Sequence, residues 1–120
     1  MKEYKVKITD EALSDMNQIY DYINETLLSP ENAISQYNRI ADGILKLSSF
    51  PKRFHTLDFE PWKTKGLRRM IVDNYSVFYC LKDDNVIVTA VLYSASDIEE
   101  RLKRKHSAGT LEILNLYVLK

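Results

Sequence analysis

Residues 67–93 read LRRMIVDNYSVFYCLKDDNVIVTAVLY, and this stretch decides the fold. It contains three runs rich in β-branched and aromatic residues, which favour strands. The runs cover residues 67–72, 75–82 and 86–93. Asp73-Asn74 and Asp83-Asp84-Asn85 separate them, and Asn and Asp tolerate the left-handed backbone of tight turns. The sequence therefore predicts three consecutive antiparallel strands that form a meander.

Two amphipathic helices are predicted upstream of the meander. Leu13, Met16, Tyr20, Ile23 and Leu27 recur at spacings of three and four, which indicates one apolar helix face. This helix should begin after a Thr9 cap, reach about residue 28, and carry Asp15, Asp21 and Glu25 on its polar face. Ser29 and Pro30 start a second helix, which ends before Pro51. The short connection makes the pair an antiparallel hairpin.

The ends of the chain add smaller elements. Alternation at Tyr4, Val6 and Ile8 predicts a short first strand, and Ser96 is expected to cap a helix that reaches about residue 105. Residues 51–66 indicate a loop with a short strand near 54–59, while the pattern of residues 111–120 fits a strand or a helix equally. We therefore predict one α+β domain over residues 1–120, with 110–120 as a C-terminal extension. Its order is β-α-α-β-β-β, with an antiparallel sheet packed on the helical hairpin and a C-terminal helix.

Charge is balanced overall but not along the chain. Seventeen Lys and Arg face seventeen Asp and Glu, whereas residues 10–33 hold six acids and no Lys or Arg. Residues 51–70 and 101–106 are basic, and forked Arg hydrogen bonds suit either phosphate or carboxylate partners. Consecutive strand residues point to opposite faces, so Arg68 and Arg69 cannot both face water unless both sheet faces are open. The target-binding candidates are Lys63, Lys65, Arg68, Arg69, Arg101 and Arg104.

Few residues support enzymatic chemistry. The three glycines stand far apart, so no phosphate-binding loop is present, and neither histidine has neighbours at metal-ligand spacing. Cys80 lies in an apolar run and is expected to be a buried core residue. We expect no metal and no cofactor, and the catalytic candidates are Arg68, Arg69 and Tyr79. No apolar stretch approaches about 18 residues, which favours a cytoplasmic protein without a membrane partner.

The motif order resembles the RelE/ParE superfamily of type II toxin–antitoxin toxins. The matching residues span about residues 4–102. They are Ile8-Thr9-Asp10-Glu11-Ala12 with Asp15, Tyr22-Ile23, residues 47–51, Gly66-x-Arg68, Asn74-Tyr75-x-Val77-x-Tyr79, and Val91-Leu92-Tyr93 before Asp97. The resemblance implies a basic concave sheet and a cognate antitoxin whose C-terminal segment wraps the toxin. It also implies one of two activities, because the family divides chiefly into ribosome-dependent mRNA endonucleases and inhibitors of DNA gyrase.

Three hypotheses follow from the resemblance. The first is a ParE-like toxin of a plasmid stabilisation module, which inhibits growth by binding an essential target such as DNA gyrase. The second is a RelE-like mRNA endonuclease, and the third is a binding protein that has lost its toxicity, because Ser94-Ala95-Ser96 stands where many members have arginines. A homodimer or a toxin–antitoxin heterotetramer is the expected assembly. All three assume a cationic hollow floored by the meander and bordered by the two helices.

Overall fold

The computed structural model describes residues 2–105. Four strands and four α-helices succeed one another along this part of the chain, with two 3-10 turns at Lys46–Ser48 and Pro51–Arg53. The strands are β1 (Lys5–Ile8), β2 (Arg68–Val72), β3 (Tyr75–Lys82) and β4 (Asn85–Tyr93). The helices are α1 (Asp10–Asp21, extended by a π-helical turn at Tyr22–Thr26), α2 (Pro30–Leu45), α3 (Trp62–Lys65) and α4 (Ile98–Lys105).

The four strands form one mixed sheet in the order β1-β4-β3-β2. The meander is confirmed, since β2, β3 and β4 pair antiparallel through turns in which Asp73 and Asp83 have positive φ. The first strand differs from the expectation of a wholly antiparallel sheet. It lies parallel to β4, with Lys5 opposite Asn85 and Ile8 opposite Val88. This pairing is possible because the helical hairpin serves as the crossover that parallel strands need.

The helices begin where the sequence indicates. The Thr9 hydroxyl accepts a hydrogen bond from the Ala12 N–H at 3.2 Å, and Pro30 occupies the first position of α2. The first helix keeps α geometry only to Asp21, and its final turn becomes a π-helix that ends at Thr26. Leu28 then adopts a left-handed conformation, with φ of 52°, which reverses the chain into α2.

Side chains cover both faces of the sheet. The hairpin packs on one face, where Met16, Ile40, Ile44 and Leu47 meet strand residues that include Tyr79. On the opposite face, Trp62 and Leu102 pack with Phe78, Ala90 and Leu92. The predicted hollow does not lie beneath the hairpin, because the apolar stripes of the helices are buried directly against the sheet. Three stripe residues nevertheless stay outside the core: Leu13, Leu27 and Ile34 are exposed.

Several local predictions need correction. In place of a strand at 54–59, the structure has a single antiparallel bridge between Thr56 and Arg68. Asp97 caps α4 instead of Ser96, since the Glu100 N–H donates to Asp97 Oδ1 at 3.2 Å. The Ser96 hydroxyl donates to the Tyr93 carbonyl, which accounts for its absence from the cap. The predictions for residues 106–120 lie outside the described residues. No helix within residues 2–105 has the length and apolar character that would span a bilayer.

Candidate functional site

Arg68 and Arg69 point to opposite faces of the sheet, as the strand period predicts. Arg68 lies opposite Tyr79 on β3, and Arg69 lies opposite Phe78. Tyr79 belongs to the core beneath the hairpin, whereas Phe78 belongs to the core beneath α3 and α4. Both arginines are half-buried. The two cations therefore serve two different surfaces, which are described in turn.

Arg68 organises the loop that precedes the meander. Its Nη1 donates to the Phe54 carbonyl at 2.6 Å and to the Lys52 carbonyl at 3.3 Å. Arg53 is fixed in the same way, with Nη1 donating to the Ser49 carbonyl at 2.6 Å and the guanidinium lying 4.7 Å from the Phe54 ring centroid. Each guanidinium has several further N–H donors, so the loop presents two oriented cations to an anionic partner.

Tyr79 supports this loop from below. Its side chain is fully buried, and its hydroxyl donates to the Pro51 carbonyl at 2.5 Å. Burial raises the pKa of Tyr79 to about 12, even though Arg68 and Arg53 act in the opposite direction. The phenol is therefore protonated at neutral pH and its hydrogen is already engaged. This geometry favours a structural role for Tyr79 over the catalytic role that the sequence left open.

Arg69 heads a hydrogen-bonded chain across the other face. Its Nε donates to the Ser76 hydroxyl at 2.8 Å, and the Ser76 and Ser94 hydroxyls lie 2.8 Å apart. The guanidinium carbon lies 5.9 Å from the centroid of the Phe78 ring, within cation–π range. The sequence analysis considered Ser94 as part of the stretch that stands where many family members have arginines, and it missed Ser76. The chain links β2, β3 and the turn after β4, so it fixes where the Arg69 charge is presented.

The other four candidate cations do not join Arg68. Lys63 and Lys65 are exposed on α3, whose Trp62 packs on the face that Arg69 shares. Arg104 is exposed and pairs with Glu100 at 3.3 Å, while Arg101 turns towards Asp15 on α1. The structure thus divides the predicted basic surface into a loop cluster around Arg53 and Arg68 and a second set on the opposite face and on α4.

Asp15 lies beside the part of β4 that no longer has β1 as its neighbour. Pairing between β1 and β4 ends at Val88, and Asp15 Oδ2 then accepts the Val91 N–H at 2.9 Å. Its Oδ1 lies 2.5 Å from Lys105 Nζ, and the carboxyl is only 5% exposed. Burial raises the pKa of Asp15 above its usual 3.8 despite the lowering effects of Lys105 and of the Val91 hydrogen bond. The sequence placed Asp15 on the solvent face of α1, and that prediction is wrong.

A groove of about 580 Å³ runs beside this edge of β4. Tyr22 and Leu27 form one wall, Tyr75 and Tyr93 form the other, and Arg101 lies at its border. Tyr22, Leu27 and Tyr93 are each about half exposed, at 53%, 55% and 46%. The Val91 N–H points away from β3, and residues two apart in a strand share their direction, so the Tyr93 N–H also faces the groove. The groove therefore combines apolar walls with one outward-facing backbone N–H, that of Tyr93, since Asp15 already accepts the Val91 N–H and the Tyr93 carbonyl accepts from Ser96.

The described residues contain no obvious metal or thiolate chemistry. Within residues 2–105, no three His, Cys, Asp or Glu side chains converge in a way that could hold a metal ion. Cys80 is buried, and burial raises the pKa of its thiol to about 11, so the reactive thiolate is scarce at neutral pH. The functional features of this region are consequently its cations, its exposed apolar side chains and the outward-facing Tyr93 N–H.

Solved structures of similar fold include chains from two toxin–antitoxin systems and one toxin. The chromosomal ParDE system of P. aeruginosa contains a chain that is 20% identical, with a TM-score of 0.65, over 78% of this chain and 98% of that one. The RelBE2 complex of Mycobacterium tuberculosis gives 21% identity and a TM-score of 0.56, over 80% and 97%. A mutant of E. coli toxin RelE in the free state is 15% identical, with a TM-score of 0.56, over 85% of this chain and 97% of that one.

The family model for the ParE toxin of the type II toxin–antitoxin system parDE matches residues 6–98. This range runs from the second residue of β1 to the first residue of α4, so it includes the whole sheet except Lys5. The chain therefore belongs to the ParE toxin family. No curated protein sequence matches it.

Proposed function

We propose that the protein inhibits growth by binding an essential target, with DNA gyrase as the first candidate, and that a cognate antitoxin neutralises it. The observation that supports binding over catalysis is the state of Tyr79. Acid–base catalysis works best with a group whose pKa lies near the working pH. The Tyr79 hydroxyl is buried and donates to the Pro51 carbonyl, and burial raises its pKa to about 12. Arg53 and Arg68 beside it supply fixed positive charge and no proton exchange at neutral pH.

The groove beside β4 is the proposed antitoxin site. An extended segment there can accept a hydrogen bond from the outward-facing Tyr93 N–H while its apolar side chains contact Tyr22 and Leu27. Arg101 at the border suits an acidic residue of that segment. Within residues 2–105, the loop cluster of Arg53 and Arg68 contributes nothing to the groove lining. The target and the antitoxin thus have separate primary contacts in this proposal.

The test compares Arg68→Ala with Lys7→Ala, a matched removal of one exposed β1 cation. Induced expression of the wild type without an antitoxin is expected to arrest growth, and the purified protein is expected to block supercoiling by gyrase. Arg68→Ala should relieve the arrest while a circular dichroism spectrum shows the domain still folded, and Lys7→Ala should behave as wild type. Arg68→Lys should retain part of the effect because it keeps the charge but loses the forked geometry. Full toxicity of soluble Arg68→Ala would remove Arg68 from the target surface.

A RelE-like endonuclease is the second candidate, and one contact favours it. The His55 carbonyl accepts the Arg69 N–H at 3.3 Å, which places an exposed imidazole on the segment that borders the two arginines. A histidine near cations is the pairing that RNA cleavage would use. In a translation extract, cleavage of mRNA that disappears in His55→Ala would establish this activity. Blocked supercoiling with intact mRNA would support the gyrase proposal. Unchanged growth on induced expression would instead indicate a binding protein that has lost its toxicity.

A further inference from the structure

Phe50 combines exposure with an unusual backbone. Its side chain is 61% exposed, and its φ and ψ of 50° and 51° lie in the left-handed region, where bulky residues are rare. The following Pro51 does not relieve this conformation, because proline restricts the residue before it to extended backbone. Arg53 holds the turn, since both its backbone N–H and its Nη1 donate to the Phe50 carbonyl at 3.1 Å. The fold therefore maintains a phenyl ring in water at a conformational cost.

Phe50 is part of an apolar patch with a cationic border. Phe50 lines a groove of about 550 Å³ together with Leu45, Lys46 and Arg53. Leu45 is 63% exposed. Lys52 does not line the groove but lies in the chain between the lining residues Phe50 and Arg53, and Arg68 donates to the Lys52 carbonyl at 3.3 Å. Within residues 2–105, none of these four cations lies within salt-bridge distance of a carboxylate. Among the described residues, Asp42 is the single acid in the groove lining, and the Glu3 carboxylate adjoins it by accepting the Ser49 hydroxyl at 3.0 Å. The four cations therefore outnumber the two acids at the patch.

We propose that Phe50 and Leu45 form the anchor by which the toxin binds its protein target. Their side chains insert into an apolar pocket of the target that has an acidic rim. This inference rests on the proposed function and names the residues that bind. An exposed apolar patch edged by arginine and lysine without a carboxylate partner in the described part of the chain is complementary to such a pocket. Aromatic and Arg residues also dominate the energy of protein interfaces. Leu45 favours a protein over a nucleic acid, because a nucleobase stacks on an aromatic ring or a guanidinium and gains little from a leucine.

The decisive variants are Phe50→Gly and Phe50→Asn. Gly and Asn both accept positive φ, so the domain should fold and its Tm should not fall. Inhibition of gyrase supercoiling should weaken about thirty-fold, as for the loss of an interface hot spot, and growth arrest should be lost. Leu28→Gly is the matched control. Leu28 is also a large apolar residue, 80% exposed with φ of 52°, but it lies at the turn between the helices.

Each outcome bears on the anchor. Loss of growth arrest in both Phe50 variants but not in Leu28→Gly supports it, as does unchanged co-purification of Phe50→Gly with the antitoxin. Retained arrest in Phe50→Gly overturns the anchor and leaves the proposed function standing. If Phe50→Gly loses binding to a fluorescent single-stranded oligonucleotide that the wild type binds, base stacking replaces the anchor. A wild type that arrests growth without affecting gyrase refutes only the gyrase target, since growth arrest still reports on Phe50. A wild type that does not arrest growth overturns both proposals.

Discussion

Replacement of Asp15 tests how the last helix is fixed to the sheet. Asp15→Ala removes the acceptor of the buried Val91 N–H, which costs about 1–3 kcal/mol for an unsatisfied donor. It also leaves Lys105 without its partner, but the Lys105 side chain is 17% exposed and can turn its ammonium towards water. The penalty should therefore stay below the roughly 3–5 kcal/mol typical of a broken buried pair. We expect a total loss of about 2–4 kcal/mol in the free energy of unfolding.

Asp15→Asn separates the two contributions. The amide oxygen can still accept the Val91 N–H, and burial already favours an uncharged group at this position. We expect Asp15→Asn to lie within about 1 kcal/mol of the wild type. Because the pKa of Asp15 is raised in the folded state, the carboxyl contributes most below pH 3.8 and this contribution is lost as the pH rises through the folded pKa. The stability of the wild type relative to Asp15→Asn should thus fall as the pH rises.

Urea denaturation followed by Trp62 fluorescence measures these differences. Trp62 is the single tryptophan, is 4% exposed, and packs in one cluster with Leu102 of α4, so its emission reports on the docking of that helix. Glu100→Ala serves as the control, since it breaks the exposed pair with Arg104 and should cost about 0.5 kcal/mol or less. If Asp15→Ala cost no more than this control, or if the alanine and asparagine variants were equal, the structural reasoning would be refuted.

Two further predictions concern buried groups of β3. Tyr79→Phe removes the hydroxyl that donates to the Pro51 carbonyl. It should lower the free energy of unfolding, measured by urea denaturation, by about 1–2 kcal/mol while growth arrest persists. Loss of toxicity in a stable Tyr79→Phe protein would instead show that the phenol takes part in the activity. Cys80 should resist iodoacetamide at about pH 8 in the folded protein and react once urea unfolds it, because burial raises its pKa to about 11. Rapid labelling of the folded protein would contradict that prediction.

Local signals account for the parts of the fold that the sequence predicts well. The Asp73-Asn74 turn, the Thr9 cap and Pro30 each act within a few residues, so the meander and the helix starts could be located directly. The pairing of β1 with β4 could not, because Lys5 meets a partner eighty positions along the chain, at Asn85. No pattern near residue 5 records that partner.

The site shows the same division. The strand period correctly separates Arg68 from Arg69, but it does not reveal that Arg68 is bound to loop carbonyls. Helical periodicity assigned Asp15 to the polar face of α1, together with Asp21 and Glu25. Its burial arises from β4, whose edge loses its partner strand after Val88 and needs a substitute acceptor. The exposure of Phe50 could not be predicted either, since a phenylalanine before a proline carries no signal for left-handed backbone.

The parallel pairing of β1 with β4 has a consequence for protein synthesis. The first strand leaves the ribosome early, but its neighbour in the sheet is not translated until residues 85–88. Helices α1 and α2 can form beforehand, yet the core beneath them stays incomplete until β3 and β4 arrive. A nascent chain interrupted before Asn85 therefore lacks the strand that joins β1 to β3 and cannot complete the sheet, so an abortive translation product should remain without the native fold.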